Sequence, residues 1–234
     1  MARRRRSALD EHRAVHVVAN AVDGAALFTD DRERFAYLDL VDEHLPGSGV
    51  RLACFCLMTT HVHLLVAHRD AASLAEAIQG AHARFAEHVN DRRARRGHLF
   101  RSRYHATAIR DDAHAWSAAR YIERNPLTAG IVRHPAAYRW SSFGCHLGRR
   151  HPPAALDPLL IDEIFGSIST YEAAVLDVDD LDGLRRVLAA EGIAEAARRG
   201  WTQRQIAAAT GHSQSSIQRA LARSTRSGSR TCAS

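Results

Sequence analysis

Two histidines in a short apolar segment have the type and spacing that metal chemistry needs. The segment Cys54–Val66 is rich in strand-forming residues and contains His61 and His63. Because side chains two positions apart in a strand lie on the same face, both imidazoles are predicted to point one way. Two neighbouring imidazoles can bind one divalent cation, but a third ligand must come from elsewhere in the chain. The alternative is coincidence, because the chain has 15 histidines.

A tyrosine and an asparagine form a second candidate pair. Asp111 or Asp112 is predicted to cap a helix that runs to Asn125 and ends before Pro126. Tyr121 and Asn125 are four residues apart, so they are predicted to lie on one face of that helix. Packing in the core or at the surface is the ordinary explanation for a helical tyrosine, and the spacing alone favours it.

An arginine-rich block lies between these two pairs. Residues 92–110 contain seven arginines and no acidic residue. Residues 98–110 are predicted to form a strand whose alternation places Arg101, Arg103 and His105 on one face. Such a face could bind phosphates, because arginine pairs with them through two hydrogen bonds. The alternative is an exposed edge strand whose charges prevent aggregation.

The composition favours a nucleic-acid partner. The net charge is +6, all 32 basic residues are arginine, and the sequence pI is about 9.7. A polyanion is the simplest partner for so basic a chain. The four cysteines form no disulfide or Cys-x-x-Cys pattern, which predicts a reducing, cytoplasmic location. A DNA partner would place the chain at the nucleoid. No segment is typical of a signal peptide or approaches the ~20 apolar residues of a membrane span, so no membrane partner is expected.

The elements that would position these residues alternate between strand and helix. The order along residues 13–125 is strand, helix, strand, strand, helix, strand, helix. This order predicts an α+β fold in which an antiparallel sheet carries packed helices. The first helix is predicted to be capped by Thr29 and the second by a capping box at Ser73. A closing segment follows, and it is predicted to pack through Tyr138, Trp140 and Phe143.

The remainder of the chain is predicted to be all-α. Residues 151–190 form a helical connector, and residues 191–224 have the pattern of a helix-turn-helix in which Ile206 and Ile217 face inward. The outward side chains are of types that contact base edges or phosphates, namely Gln214, Ser215, Gln218 and Arg219. A basic helical hairpin without DNA contacts is the alternative.

Four sequence blocks within residues 13–148 resemble the one-tyrosine HUH transposases, and in particular their REP-associated tyrosine transposase branch. One is Cys-Leu-Met-Thr-Thr-His-Val-His-Leu-Leu-Val at 56–66, in which two histidines flank a bulky apolar residue. The others are Gly97–Tyr104, Tyr121–Val132 and Tyr138–Ser142. Their shared order over more than half of the chain makes the resemblance specific.

The resemblance implies roles for individual residues. Tyr121 matches the nucleophile of the family, and His61 and His63 match two metal ligands. Asn125 matches the third ligand position, where relatives carry an amide or an acid. Arg101 stands where many relatives have glutamine. The implied cofactor is a divalent cation, Mg²⁺ or Mn²⁺.

The resemblance also implies an activity, which is the cleavage and rejoining of hairpin-containing single-stranded DNA through a 5′-phosphotyrosine intermediate. The predicted helix-turn-helix would dock duplex DNA as a further partner, and relatives occur as monomers or homodimers. The mid-chain arginines would follow the backbone of the single strand, and they are Arg92, Arg93, Arg95, Arg96, Arg101 and Arg103.

The predicted organisation therefore has a basic arm at 1–12, a catalytic domain at 13–150, and a disordered tail at 225–234 after the connector and the helix-turn-helix. Two other functions remain open. A DNA-binding regulator could use the same scaffold without cleavage, and an unrelated His-x-His metallohydrolase could use the histidine pair. An amidohydrolase barrel would need roughly 250 residues of βα repeats, which the helical last third argues against.

Overall fold

The computed structural model describes residues 13–176 and short pieces at 188–189, 192–194, 206, 210, 212 and 216–221. Two compact units divide the chain after Leu176. The predicted basic arm, the predicted tail and most of the predicted helix-turn-helix lie outside the described residues. Among the described helices, none combines the length and apolar character needed to cross a bilayer. The elements of the first unit are β1 (Arg13–Asn20), α1 (Asp31–His44), β2 (Arg51–Leu57), β3 (His61–His68), α2 (Ala71–Arg92), β4 (His105–Ala108), α3 (Asp112–Thr128), α4 (Phe143–His146), α5 (Pro158–Phe165) and α6 (Ile168–Leu176).

The four described strands form one antiparallel sheet in the order β2-β3-β1-β4. β1 and β3 are the inner pair, in which Val18 lies opposite His63 and Asn20 lies opposite His61. The short strand β4 adds to the free edge of β1. The predicted α+β fold is confirmed, and the two histidines lie on an inner strand whose position is fixed on both sides.

The two faces of the sheet have different neighbours. Val62, Leu64 and Val66 alternate with the histidines and are buried in one core with α1 and α2. Helix α3 packs across β2 and β3 on the face that carries the histidines, where Asn125 contacts His63. Helices α5 and α6 join the same core through Phe165 and Tyr171. For this reason the first compact unit continues to residue 176, beyond the boundary predicted near residue 150.

Aspartates begin the three long helices. Asp30 caps α1 and Asp70 caps α2, and each carboxylate accepts a bond from the backbone N–H three residues later, at 3.1 and 2.8 Å. The caps predicted at Thr29 and Ser73 are therefore wrong. An ionised cap also interacts favourably with the helix dipole, which explains why aspartate is used. Asp111, one of the two caps predicted for α3, is confirmed.

Two predicted boundaries also differ from the structure. The strand predicted over 98–110 is shorter in the structure, where only β4 is a strand. The residues before β4 form a loop, whose pairing with the end of β1 is limited to an isolated bridge between Phe100 and Ala21. Helix α3 passes through Pro126 and ends at Thr128. The proline lies in the last turn, where its missing N–H removes one helical hydrogen bond.

A buried carboxylate joins α1 to the end of α2. The side chain of Glu33 is fully buried, and it accepts bonds from the Arg93 guanidinium at 2.8 and 2.6 Å and from the Thr29 hydroxyl at 2.9 Å. Burial acts to raise its pKa, but the bonds from Arg93 and Thr29 outweigh this effect and lower the pKa to about 2. Arg92 reaches the same carboxylate at 2.8 Å. Arg92 and Arg93 of the arginine-rich block at 92–110 therefore join the end of α2 to the start of α1.

We expect Glu33→Gln to lower the free energy of unfolding by about 3 kcal/mol at pH 7, because it leaves the largely buried Arg93 charge unpaired. Urea unfolding followed by circular dichroism measures this loss. Asp31→Asn is the matched control, since the Asp31 carboxylate is itself 54% exposed where it pairs with Arg34 and Arg139, at 3.8 and 3.2 Å. Such pairs contribute at most about 1 kcal/mol. A loss in Glu33→Gln no larger than in the control would contradict this explanation.

Candidate active site

His61 and His63 lie side by side on β3, as the alternation of the strand predicts. Their ring centroids are 4.8 Å apart. His63 is 3% exposed, whereas His61 is only partly buried and lies nearer the solvent. The Thr60 hydroxyl lies 3.0 Å from Nδ1 of His61 and helps to hold that ring. The pair is therefore rigid and open on one side.

Helix α3 brings Tyr121 and Asn125 to the same histidines. The ring centroid of Tyr121 is 5.4 Å from that of His63, and Nδ2 of Asn125 is 3.1 Å from Nε2 of His63. Tyr121 is 54% exposed, so a large substrate can approach it. The four residues singled out as nucleophile and metal ligands therefore meet in one place within a single chain.

A buried glutamate fastens the helix that carries Tyr121 and Asn125. Glu123 lies two positions from each of them and accepts bonds from the Phe143 N–H at 3.0 Å and the Tyr171 hydroxyl at 2.7 Å. The hydroxyl of Ser142 donates a third bond to the same carboxyl group. These partners belong to α6 and to the chain entering α4. The position of Tyr121 over the histidines therefore depends on this network.

We expect Glu123 to make the fold less stable as the pH rises. Burial raises its pKa to about 7, although its hydrogen bonds act in the opposite direction. An unfolded glutamate has a pKa of about 4.3, so between these values the folded state keeps a proton that the unfolded state has lost. The free energy of unfolding should fall by about 3 kcal/mol from this group alone as the pH rises through that range.

Urea unfolding of the wild type and Glu123→Gln at several pH values measures this contribution. The difference in unfolding free energy between the two proteins should change with pH, because the amide cannot titrate. All other ionisable groups are common to both proteins and cancel in the difference. An identical pH dependence in the two proteins would show that Glu123 titrates normally.

The donor set around His63 fits a divalent cation. Burial lowers the pKa of His61 and lowers that of His63 to about 3, so both imidazoles are neutral at pH 7 and keep a lone pair. Ligands around an ion with bonds of about 2.1 Å lie about 3 Å apart, and the 3.1 Å between His63 and the Asn125 amide is close to this spacing. Rotating the amide exchanges its nitrogen and oxygen, which are assigned only by their neighbours. Two imidazoles and an amide oxygen suit Mn²⁺, and Mg²⁺ less tightly.

A second group of potential ligands lies in the core. Cys54, Glu123 and His146 have ligand atoms within 4.8 Å of one another. These groups already have partners, because Nε2 of His146 is 2.8 Å from the Ala53 carbonyl and the Glu123 carboxyl group accepts three bonds. Burial also raises the pKa of the Cys54 thiol, and a metal binds the thiolate. This cluster therefore acts as a hydrogen-bonded part of the core.

Three arginines of the mid-chain block are engaged within the fold. Arg92 pairs with Asp30, Arg93 pairs with Glu33, and Arg95 donates to a backbone carbonyl three residues later at 2.9 Å. The acids come from the start of α1, about 60 positions earlier in the chain. The other arginines of the block are therefore the better candidates for phosphate contacts, and the contacts predicted for Arg92, Arg93 and Arg95 stay predictions.

Three of the other four members lie in the loop before β4, and the fourth, Arg110, follows that strand. Arg96, Arg101 and Arg103 are exposed. The Arg101 N–H donates to the Asn20 carbonyl at 2.9 Å, and Asn20 is paired with His61 across the sheet. The loop that carries Arg101 therefore passes beside the histidine pair.

Only part of the predicted helix-turn-helix is described. Residues 216–221 are helical, and within them Gln218 and Arg219 are exposed while Ile217 is buried. Ile206 is also buried, as the pattern predicts. Gln214 and Ser215 lie outside the described residues, so their predicted DNA contacts stay predictions.

Sequence reasoning missed one residue of the site. Nε2 of His16 lies 3.0 Å from Nδ1 of His63, and the His16 ring is 5.9 Å from that of Tyr121. Burial lowers the pKa of His16 to about 4. The signal that could have found it is strand pairing. Because Val18 lies opposite His63, His16 is two positions along on the same face of the sheet.

The chain is similar to proteins of one family. A family model described as "Transposase IS200 like" matches residues 11–125. The solved structure of a REP-associated tyrosine transposase bound to a REP hairpin is 16% identical in sequence. The superposition covers 67% of this chain and 92% of that chain, with a TM-score of 0.48. No curated protein matches the chain.

Proposed function

Because residues 11–125 belong to the family of IS200-like transposases, we propose that this chain is a metal-assisted transposase that cleaves and rejoins single-stranded DNA. The observation that carries the proposal is the meeting of Tyr121 with His61, His63 and Asn125. An exposed phenol lies beside a donor set suited to a divalent cation. Attack on an anionic phosphodiester requires both a nucleophile and a means of neutralising charge.

Tyr121 is the proposed nucleophile. Its hydroxyl oxygen forms a bond to phosphorus while the bond between phosphorus and the 3′ oxygen breaks. In net terms one proton passes from the phenol to the released 3′ oxygen, and the 5′ phosphate stays on Tyr121 as an ester. Since one phosphate ester replaces another, a later 3′-OH can reverse the step and join strands without ATP.

His61, His63 and Asn125 are the proposed holders of Mg²⁺ or Mn²⁺. When bound, the cation supplies charge neutralisation at a non-bridging oxygen and polarises the phosphorus. The chain contributes the geometry. His63 is buried at the floor of the site, and the exposed Tyr121 stands at its open side, so a phosphate entering from solvent meets both.

The proposed substrate is single-stranded DNA that carries a hairpin, as the resemblance to the REP-associated branch implies. The proposed contacts to its backbone are the exposed Arg96, Arg101 and Arg103, because the loop that carries them passes beside the histidine pair. The C-terminal region is the proposed dock for duplex DNA, with contacts from Gln214, Ser215, Gln218 and Arg219.

Tyr121 is proposed to act on DNA held by the histidines of its own chain. The 5.4 Å between the rings of Tyr121 and His63 is reached without a second copy. This arrangement is compatible with a monomer and with a homodimer in which each protomer has a complete site.

A hairpin-tipped oligonucleotide labelled at its 3′ end tests the proposed function. Incubation with the full chain and Mn²⁺ should shift the label to a protein-sized band on a denaturing gel, because the 5′-phosphate side of the break stays on the protein. A 5′-labelled copy should release a shorter strand free of protein. Added EDTA and a blunt duplex serve as controls. Hairpin binding without a covalent band would identify a regulator and contradict the proposal.

A further inference from the structure

We propose that His16 is a positioning residue that fixes the tautomer and the orientation of His63, so that Nε2 of His63 is free for the cation. This inference rests on the proposed function, because it concerns the same metal site. It starts from two contacts of one ring. Nδ1 of His63 lies 3.0 Å from Nε2 of His16, and Nε2 of His63 lies 3.1 Å from the Asn125 amide.

The two contacts allow only one useful arrangement of protons. A neutral imidazole carries one N–H and one lone pair. If Nε2 of His63 is to bind a cation, its proton must be on Nδ1, and that N–H must donate to an acceptor. Nε2 of His16 is in place to accept it, which puts the proton of His16 on its own Nδ1. The Asn125 amide N–H can donate to the Nε2 lone pair of His63 while no cation is bound.

His16 is held in a way that suits this role. It lies in the middle of β1, with Leu65 of β3 opposite on one side and Thr107 of β4 opposite on the other. Its ring also packs against those of His63 and Tyr121, at centroid distances of 5.1 and 5.9 Å. A side chain fixed on an inner strand has little freedom, so it can fix the ring that it contacts.

The other histidine of the pair has an equivalent contact. The Thr60 hydroxyl lies 3.0 Å from Nδ1 of His61, so each imidazole has a polar partner at Nδ1. In metal sites generally, partners at the second ring nitrogen set the tautomer, and their loss weakens metal binding by about 10- to 100-fold. His16 and Thr60 thus occupy the same place relative to their histidines.

Binding of Mn²⁺ to the full chain without DNA tests this role apart from cleavage. Titration with free Mn²⁺ measured by electron paramagnetic resonance should give a Kd that rises about tenfold or more in His16→Phe. His16→Gln should stay within about threefold of the wild type, because its amide oxygen can accept the same hydrogen bond. His88→Phe is the matched control, since His88 is exposed on α2.

The tautomer of His63 is a second readout that needs neither metal nor DNA. Nitrogen-15 spectra of the histidine rings should show the proton of His63 on Nδ1 in the wild type and a mixture of tautomers in His16→Phe. A wild-type Kd in His16→Phe, or a lone pair on Nδ1 of His63 in the wild type, would overturn the proposal. So would equal losses in His16→Phe and His16→Gln, which would indicate a packing role. Because these spectra are taken without substrate, the two proposals can be contradicted separately. The His63 tautomer can differ from the expected one while the covalent band forms, and the expected tautomer can be found while no covalent band forms.

Discussion

Tyr121→Phe is expected to abolish the covalent protein–DNA band while leaving the affinity for hairpin DNA within about twofold of the wild type. The substitution removes only the hydroxyl oxygen that would bond to phosphorus, so no ester can form at this position. The ring is 54% exposed, so the fold should not change. We expect the rate of adduct formation to fall at least about 10³-fold, equivalent to about 4 kcal/mol of lost transition-state stabilisation.

Tyr104→Phe is the matched control, because Tyr104 also loses a hydroxyl but lies in the loop before β4, with its ring 6.4 Å from that of His82. With hairpin DNA at saturating concentration it should form the covalent band at the wild-type rate, because a hydroxyl lost from this loop can change affinity but not the chemical step. Hairpin affinity is measured for each variant by fluorescence anisotropy, so that lost chemistry can be told from lost binding. A band that persists in Tyr121→Phe would remove this residue from the mechanism.

The second large effect is expected when either histidine of the pair is replaced by alanine. His61→Ala and His63→Ala each leave the cation with two protein ligands, which is too few for a stable site. Charge neutralisation by a metal contributes several kcal/mol to such a reaction, so the rate should fall by about 10³-fold. Single-turnover adduct formation over a range of Mn²⁺ concentrations measures this loss.

His88→Ala provides the comparison for these variants, because it removes an exposed imidazole from α2. Partial recovery at high Mn²⁺ is expected for His61→Ala, since His61 is only partly buried and water can take its place. Recovery should be weaker for His63→Ala, whose 3% exposure leaves little room for water. Wild-type rates in both alanine variants would contradict a metal-assisted reaction at this site.

The components of the site could be predicted locally, but their meeting could not. The period of two in β3 places His61 and His63 together, and the spacing of four in α3 does the same for Tyr121 and Asn125. Neither period shows how the helix crosses the sheet. That information came from the resemblance, and the structure supplies the distances, such as 3.1 Å between Asn125 and His63.

His16 and Arg93 were missed or misread for the same reason. His16 is separated from His63 by 47 positions and meets it through strand register, which alternation within one strand does not reveal. The sequence places Arg93 in a basic run that is predicted to follow a DNA strand, yet its guanidinium pairs with Glu33, 60 positions away. Long-range pairing decides both cases, and no local pattern encodes it.

Helix caps show a smaller limit of sequence reasoning. At the start of α1, Thr29 and Asp30 are neighbours and both are good caps. The structure uses the aspartate, and Thr29 bonds instead to the buried Glu33. A local rule could identify the candidates but could not choose between them, because the choice depends on a carboxylate that is buried only in the folded protein.

The most direct test of the proposed chemistry is to identify the side chain that becomes attached to DNA. The covalent complex formed with Mn²⁺ and hairpin DNA is digested with nuclease and trypsin, and the modified peptide is sequenced by mass spectrometry. We predict a nucleotide joined through its 5′ phosphate to Tyr121. Trypsin cleaves after Arg120 and Arg124, so the modified residue should be found in the peptide Tyr121–Arg124. A nucleotide on any other residue, or one joined through a 3′ phosphate, would contradict it.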